Sequence, residues 1–260
     1  MFESAYKSLV FKVLVLGEMR ETRNSKTRTL FGERLVVKMP KGRFPLLNGR
    51  KIFHKGVFGE LAAMLRGPKH IDDFKKWGCN YWDLWAKEDG SIEVDYGNAW
   101  MDQIPALKYN LANDPTNRRM LIDGWRPERL YYLDLPCCHY SYQFHVSNIG
   151  ELNMVWTQRS VDVMVGLPSD IVFAYAWLIM VANEFGYVPG RIVMNFGDTH
   201  IYESHVKNAQ EYYDRPIAHL STARYELNCE PGKDFTKFEP SDIIITDYNP
   251  QPKLEFDLHA

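Results

Sequence analysis

Between Ile171 and Phe185 the chain runs almost wholly apolar, then meets Gly186 and, three residues further on, Pro189. An apolar segment closed by glycine reads as a helix buried on all sides, with Gly186 as its C-cap. At fifteen residues it is short of the roughly 20 that a bilayer crossing needs. The segments around it read as strands, so this helix belongs at the centre of an α+β fold. Tyr142, Phe144 and Val146 alternate with polar residues, as do Leu152, Met154 and Trp156, and Ser147–Glu151 joins the two runs as a hairpin. Thr29 to Lys38 and Arg191 to Phe196 read as further strands, and the β-branched, apolar stretch Phe11 to Leu16 as another, buried one. Val57 to Arg66 places Phe58, Leu61, Ala62 and Leu65 at helical spacing and stops at Gly67-Pro68. Asp89-Gly90, Tyr96-Gly97 and Asn113-Asp114-Pro115 mark turns in a loop-rich middle.

Composition narrows the function classes. With 45% hydrophobic residues, 260 residues suffice for one substantial core, and no repeat or linker divides the chain, so residues 1–260 read as a single domain. Thirty-one basic against 33 acidic residues leave a net charge of −2. That gives no electrostatic reason to expect nucleic acid or a membrane surface as partner. An anion must then be held locally, by a few arginines. The opening segment lacks the cleavage site of a secretory signal, so a reducing cytoplasm and free thiols are expected. The four cysteines, at 79, 137, 138 and 229, form no C-x-x-C pair and no metal-ligand spacing with histidine, so no metal is expected.

Cys138-His139 opens the hairpin, and Gln158-Arg159-Ser160-Val161-Asp162 closes it. Because the chain reverses between them, Arg159 and Ser160 belong beside Cys138. A guanidinium and a hydroxyl suit a phosphate, and the guanidinium would favour a thiolate by lowering the pKa of Cys138. Gly197-Asp198-Thr199-His200-Ile201-Tyr202 follows an apolar strand, and alternation puts His200 and Tyr202 on one face as two hydrogen-bonding groups for one ligand. His205 and Asp198 are equally readable as satisfied surface groups. Arg118 and Arg119 follow the turn at Asp114-Pro115 and, in extended chain, point to opposite faces.

Taken together, Pro136–Phe144 (PCCHYSYQF), Gln158–Asp162 (QRSVD), Gly166–Asp170 (GLPSD) and Gly197–His205 (GDTHIYESH) resemble thymidylate synthase and its pyrimidine hydroxymethylase relatives. Weaker matches at Arg43–Leu47, Gly59–Leu61, Tyr81–Ala86, Tyr96-Gly97 and Asp114–Arg119 keep the same order. The resemblance implies a large mixed sheet packed by a long buried helix. It also implies transfer of a one-carbon unit from 5,10-methylenetetrahydrofolate, as co-substrate, to C5 of a pyrimidine nucleoside monophosphate. Its catalytic residues would be Cys138 as nucleophile, Glu60 as proton relay, Asp170 and Tyr96. Arg23, Gln158, Arg159 and Ser160 would bind the nucleotide and its phosphate, and His200 and Tyr202 the sugar hydroxyl. Trp82, Trp85 and Asp162 would contact folate. Arg118 and Arg119 would reach across a homodimer interface to the partner's phosphate.

Three departures from that family sharpen the reading. Asp170 stands where thymidylate synthases carry asparagine. The amide suits the uracil edge, whereas a carboxyl group suits cytosine, as in the phage deoxycytidylate hydroxymethylases; a mismatched buried polar group costs about 1–3 kcal/mol. The reading therefore favours dCMP and a hydroxymethyl product, with methylation of dCMP, a dUMP substrate and a CMP substrate as alternatives. Ser169-Asp170 could instead serve the start of the following helix, with Ser169 as the cap. The arginine loop Arg23–Arg28 lacks the family's glycine, which leaves Arg23, Lys26 or Arg28 for the phosphate, and Cys137 directly precedes Cys138. Two other classes compete: a cysteine hydrolase using His200 or His205, and a non-catalytic nucleotide- or RNA-binding relative.

Overall fold

A computed structural model of the chain describes residues 2–217 and 223–259. Its helices are α1 (Phe2–Leu16), α2 (His54–Met64), α3 (Ile71–Lys75), α4 (Ile104–Asn113), α5 (Gly166–Phe185) and α6 (Val206–Asp214). Strands β1 (Glu18–Glu21), β2 (Lys26–Lys38), β3 (Leu121–Asp123), β4 (His139–Val146), β5 (Glu151–Asp162) and β6 (Val188–Tyr202) make one sheet in the order β1-β2-β6-β5-β4-β3. β7 (Arg224–Leu227) and β8 (Ile243–Thr246) pair separately. This is the α+β architecture with a large mixed sheet.

All neighbours in the large sheet are antiparallel except β5 and β6. A parallel pair needs a crossover, and α5 supplies it. From Ile171 to Ala182 every side chain of α5 is buried, and each enclosed Ile, Val, Leu, Phe or Met contributes about 1.5–3 kcal/mol. Length and composition alone would let α5 span a membrane, but here it is the core helix of the fold. Gly186 closes it in the left-handed region, at φ 71°, as the glycine C-cap reading expects. Beneath the start of β4, α5 offers Phe173 and Trp177 to a packed set of rings. Trp177 stacks on Trp100 at 4.9 Å, while Phe173 and Trp156 flank His139.

One element departs from the sequence reading. Phe11 to Leu16 is the last part of α1, not a strand. Buried Phe2, Tyr6, Leu9, Val10, Val13 and Leu14 recur every three or four residues, a period that a six-residue window cannot show. Packing of this face overrides the strand preference of its valines.

Candidate active site

Cys138 stands where the loop from Gly124 enters β4. Its backbone N–H donates to the Tyr96 hydroxyl, which lies near enough to the Cys138 thiol to favour its ionised form. Arg159 arrives from β5, as the hairpin reading expects, with Nη2 3.8 Å from Sγ. Its Nε donates to the Cys137 carbonyl at 2.8 Å and Nη2 to the Pro136 carbonyl at 3.0 Å, so the guanidinium is fixed against the chain around the sulfur. The thiol pKa is nevertheless raised, against the sequence expectation. Burial outweighs the help of Arg159 and Tyr96, and Asp170 adds a further push upward. Cys137 is fully buried, and burial raises its thiol as well.

Two carboxyl groups form the floor. Glu60, on α2, accepts from Tyr81 Oη at 2.9 Å on one oxygen and from Trp82 Nε1 at 2.7 Å on the other. Burial raises its pKa to about 7 despite both donors. Asp170 is raised further, to about 8, by burial; a bond from Gln158 opposes the shift and the charges of Glu60 and Asp162 add to it. Asp170 is the fifth residue of α5, not a cap, because the helix starts at Gly166; Ser169 lies inside it too, so the helix-start reading of this pair fails. Trp82 is buried, stacked on Phe74 at 4.8 Å, and it positions Glu60; Trp85, half-buried at 5.3 Å from Trp82, keeps more of its ring open.

The polar side chains of this floor have their orientations fixed. Trp156 Nε1–H can only donate, and it donates to Gln158 Oε1 at 3.0 Å. Gln158 must then turn its amino group to Asp170 Oδ2, at 2.8 Å. The Tyr142 hydroxyl donates to the His139 carbonyl at 3.0 Å, so its lone pair takes the Nδ1 proton of His139 at 2.6 Å. His139 Nε2 is left as a bare acceptor 4.0 Å from Asp170 Oδ1. Burial depresses the His139 pKa to about 3, so this is a neutral ring facing a carboxyl group and not an ion pair.

Along the upper rim, parallel pairing sets Ser160 beside Asp198 and Asp162 beside His200. His200 shares its Nδ1 with Asp198 at 2.8 Å and lies 5.0 Å from the Tyr202 ring, so the two residues do face one region. Asp198 also takes Arg20 at 2.9 Å, which makes it a fully engaged group. Asp162 uses Oδ1 to cap the backbone at Met164 and Val165. Asn24, in the bend before β2, lies near enough to the Tyr202 hydroxyl to lower its pKa against the effect of burial. Lys26 is paired with Glu21 and Arg28 with Glu203, which leaves exposed Arg23 as the loop's candidate. Arg118 and Arg119 are both exposed just before β3 and are not brought to Cys138 within this chain.

The sequence reading gave no role to Tyr81, His139, Asn24 or Arg50. A groove of about 180 Å³ beside the start of α5 is lined by Arg50, Lys51, Phe53, Pro168, Lys253 and Phe256. Arg50 is buried with its Nε lacking a partner and its guanidinium 4.6 Å over the Phe256 ring. Phe256 belongs to a tail that folds back along α6. Asn208 bonds the Glu255 carbonyl at 2.7 Å, His205 bonds that of Asp257 at 2.9 Å, and His259 stacks on Tyr202 at 4.0 Å. Among the described residues, no group of three histidine, cysteine or acidic side chains could hold a metal ion.

This sheet, its crossover helix and motifs in this order define a class, the folate-dependent one-carbon transferases acting at C5 of pyrimidines. The chain belongs to the thymidylate synthase family, whose model, described as thymidylate synthase, matches residues 4–260. It is similar to the thymidylate synthase of Zymomonas mobilis subsp. mobilis, 32% identical over 294 aligned positions that take in 98% of each chain.

Proposed function

We propose that this transferase acts on dCMP and makes 5-hydroxymethyl-dCMP. The observation that carries the proposal is Asp170. With a pKa of about 8 it is protonated at neutral pH. Gln158 donates to Oδ2, which makes Oδ1 the protonated oxygen. A neutral carboxyl group held this way donates from Oδ1 to N3 of cytosine, and the free lone pair of Oδ2 accepts from the 4-amino group. Uracil presents the reverse pattern and leaves both groups mismatched. Neutral Asp170 also removes a negative charge from beside the thiolate that Cys138 must form.

In this reading Cys138 Sγ, as thiolate, bonds to C6, and the electron pair of the 5,6 double bond moves to C5. C5 would take up the methylene carbon of methylenetetrahydrofolate, and the bond from that carbon to the folate nitrogen would break, releasing tetrahydrofolate. The C5 hydrogen is lost as a proton, Sγ departs as thiolate, and water completes the hydroxymethyl group. Glu60, near neutrality in pKa, holds and moves protons for these steps. Arg159, Ser160 and Arg23 hold the phosphate, while His200 and Tyr202 hold the sugar. The groove joins aromatic walls to Arg50 and Lys51, with Lys253 paired to Glu255 at 2.9 Å beside them, and its two remaining cations fit a folate with its flat rings and anionic tail. Trp85, Trp82 and Asp162 complete that side.

A homodimer fits the sheet. Across it, Val36, Val193, Val155, Gln143 and Leu121 stand in one row, paired strand to strand. All five are half-buried or exposed, on the face away from α5. Such a stripe suits a second copy, whose Arg118 and Arg119 would complete the phosphate site.

One observation favours a second reading, reduction to 5-methyl-dCMP. The docked tail and the tryptophan pair enclose the site and would keep water out. The test is tritium release from [5-³H]dCMP with methylenetetrahydrofolate, followed by product mass. Release with dCMP and a product heavier than 5-methyl-dCMP by one oxygen supports the proposal. Release with dUMP alone overturns the substrate, and formation of dihydrofolate overturns the product.

A further inference from the structure

The loop that delivers Cys138 hangs on a short segment, Glu93–Tyr96, at three levels. At its near end the Cys138 N–H meets the Tyr96 hydroxyl. In the middle, Glu93 N–H donates to Asp134 Oδ2 at 2.8 Å, and Asp134 N–H donates to the Glu93 carbonyl at 2.9 Å. At the far end Arg129 Nε donates to Asp95 Oδ1 at 2.8 Å, with Glu93 at 3.4 Å from Nη2.

Asp95 is the unusual member. It is 1% exposed, and its Oδ2 has no hydrogen-bond partner. Arg129, by contrast, is largely open to solvent. An ion pair with one buried partner adds little net stability, because desolvation offsets the attraction. What this pair does supply is geometry: Asp95 immediately precedes Tyr96, and Arg129 lies nine residues before Cys138. The other charges facing the pair are Glu93, Lys69, Asp102 and Arg126, around a cavity of about 490 Å³ whose lining does not include Cys138.

We infer that the Arg129–Asp95 pair is a positioning device for the nucleophile, holding the Cys138 loop against Tyr96 so that the sulfur meets the pyrimidine ring in a reactive pose. The inference rests on the reading of Cys138 as nucleophile. A displacement of about 1 Å at a reacting atom lowers rate by up to about 10²-fold while leaving distant binding contacts intact. Of the phosphate and sugar groups, Ser160, His200 and Tyr202 sit on β5 and β6, outside this loop, while Arg159, also on β5, is bonded to the Pro136 and Cys137 carbonyls of the loop.

The experiment uses the full chain with Arg129→Gln, Arg129→Lys, Asp95→Asn and the double variant Arg129→Gln/Asp95→Asn. Three quantities are read: tritium release from [5-³H]dCMP, the dissociation constant of dCMP, and the rate of Cys138 alkylation by iodoacetamide, localised by peptide fragmentation. The expected result is a 10- to 100-fold loss of turnover and slower alkylation in Arg129→Gln, with dCMP affinity within about threefold. Arg129→Lys recovers part of the loss, and the double variant is no worse than the poorer single one. Arg129→Gln leaves the buried Asp95 carboxylate without its partner, so Arg129→Lys and the double variant, which removes both charges, keep the inference testable if a single neutral variant fails to fold. Turnover and alkylation within twofold of the parent protein overturn the inference, as does a parallel loss of turnover and affinity, the mark of general loosening. If the parent protein itself releases no tritium, the C5-transfer reading fails, and alkylation alone still decides whether the pair positions the sulfur.

Discussion

The floor and the rim of the site hold polar groups by opposite means. On the floor, Glu60, Asp170 and His139 are enclosed by tryptophans and tyrosines, and burial moves each toward its neutral form. On the rim, Arg159, Arg23, Ser160 and Asp198 stay within reach of water, with Arg159 held by backbone carbonyls and Asp198 by Arg20. A desolvated group gains protons near neutral pH and reads a base edge sharply, because a mismatch there goes unrelieved by solvent. A solvated group offers charge with modest and salt-sensitive strength. Floor substitutions should therefore change chemistry and specificity, and rim substitutions should change binding.

The largest expected effect tests the floor's assumption that Cys138 is the nucleophile. Cys138→Ser should abolish tritium release while dCMP binding persists by calorimetry, whereas Cys137→Ser stays active; the reverse result moves the nucleophile by one residue. Next, Glu60→Gln should lower turnover by roughly 10²–10⁴-fold with little change in nucleotide affinity. A change confined to KM would place Glu60 with the rim. Asp170→Asn should shift preference from dCMP toward dUMP by about 10- to 100-fold in kcat/KM ratio.

The same variant has a signature in stability. Wild-type Asp170 is raised to about 8 in the folded protein, so the folded state holds a proton that the unfolded chain loses near pH 4. Stability contributed by that retained proton falls as pH rises from about 4 through 8. Asparagine removes this dependence. Asp170→Asn should match the parent protein in thermal unfolding near pH 4 and exceed it by on the order of 2–5 kcal/mol at pH 9. Equal pH profiles would mean that the carboxyl group is not desolvated. The smallest effect belongs to the rim. Ser160→Ala should raise the KM for dCMP a few-fold at unchanged kcat, with the penalty of a lost hydrogen bond at about 1 kcal/mol.

Much of the frame was legible in the residues. The apolar run with Gly186 announced the core helix, and the alternation at Tyr142–Trp156 announced the hairpin that brings Arg159 to Cys138. Both are local patterns whose period survives any surroundings. The segment Phe11–Leu16 was misread because its helical period only emerges with Phe2, Tyr6 and Leu9 included. Motif order carried the family and, through it, the choice of Glu60 and Asp170. Their spacing alone could not have done so, since 110 residues separate them.

What the sequence determined by itself was the inventory: a thiol, two carboxyl groups, a few arginines and an aromatic core, in an order that one fold uses. Only the tertiary structure decided the protonation of that inventory and the direction in which each group points. The physical reason is that burial and hydrogen-bond partners come from distant segments. Trp156 turns Gln158, which fixes the carboxyl of Asp170; Tyr142 sets the tautomer of His139; enclosure raises the thiol of Cys138 against the pull of Arg159. No local pattern encodes a dielectric environment, because it exists only once the chain has closed around it.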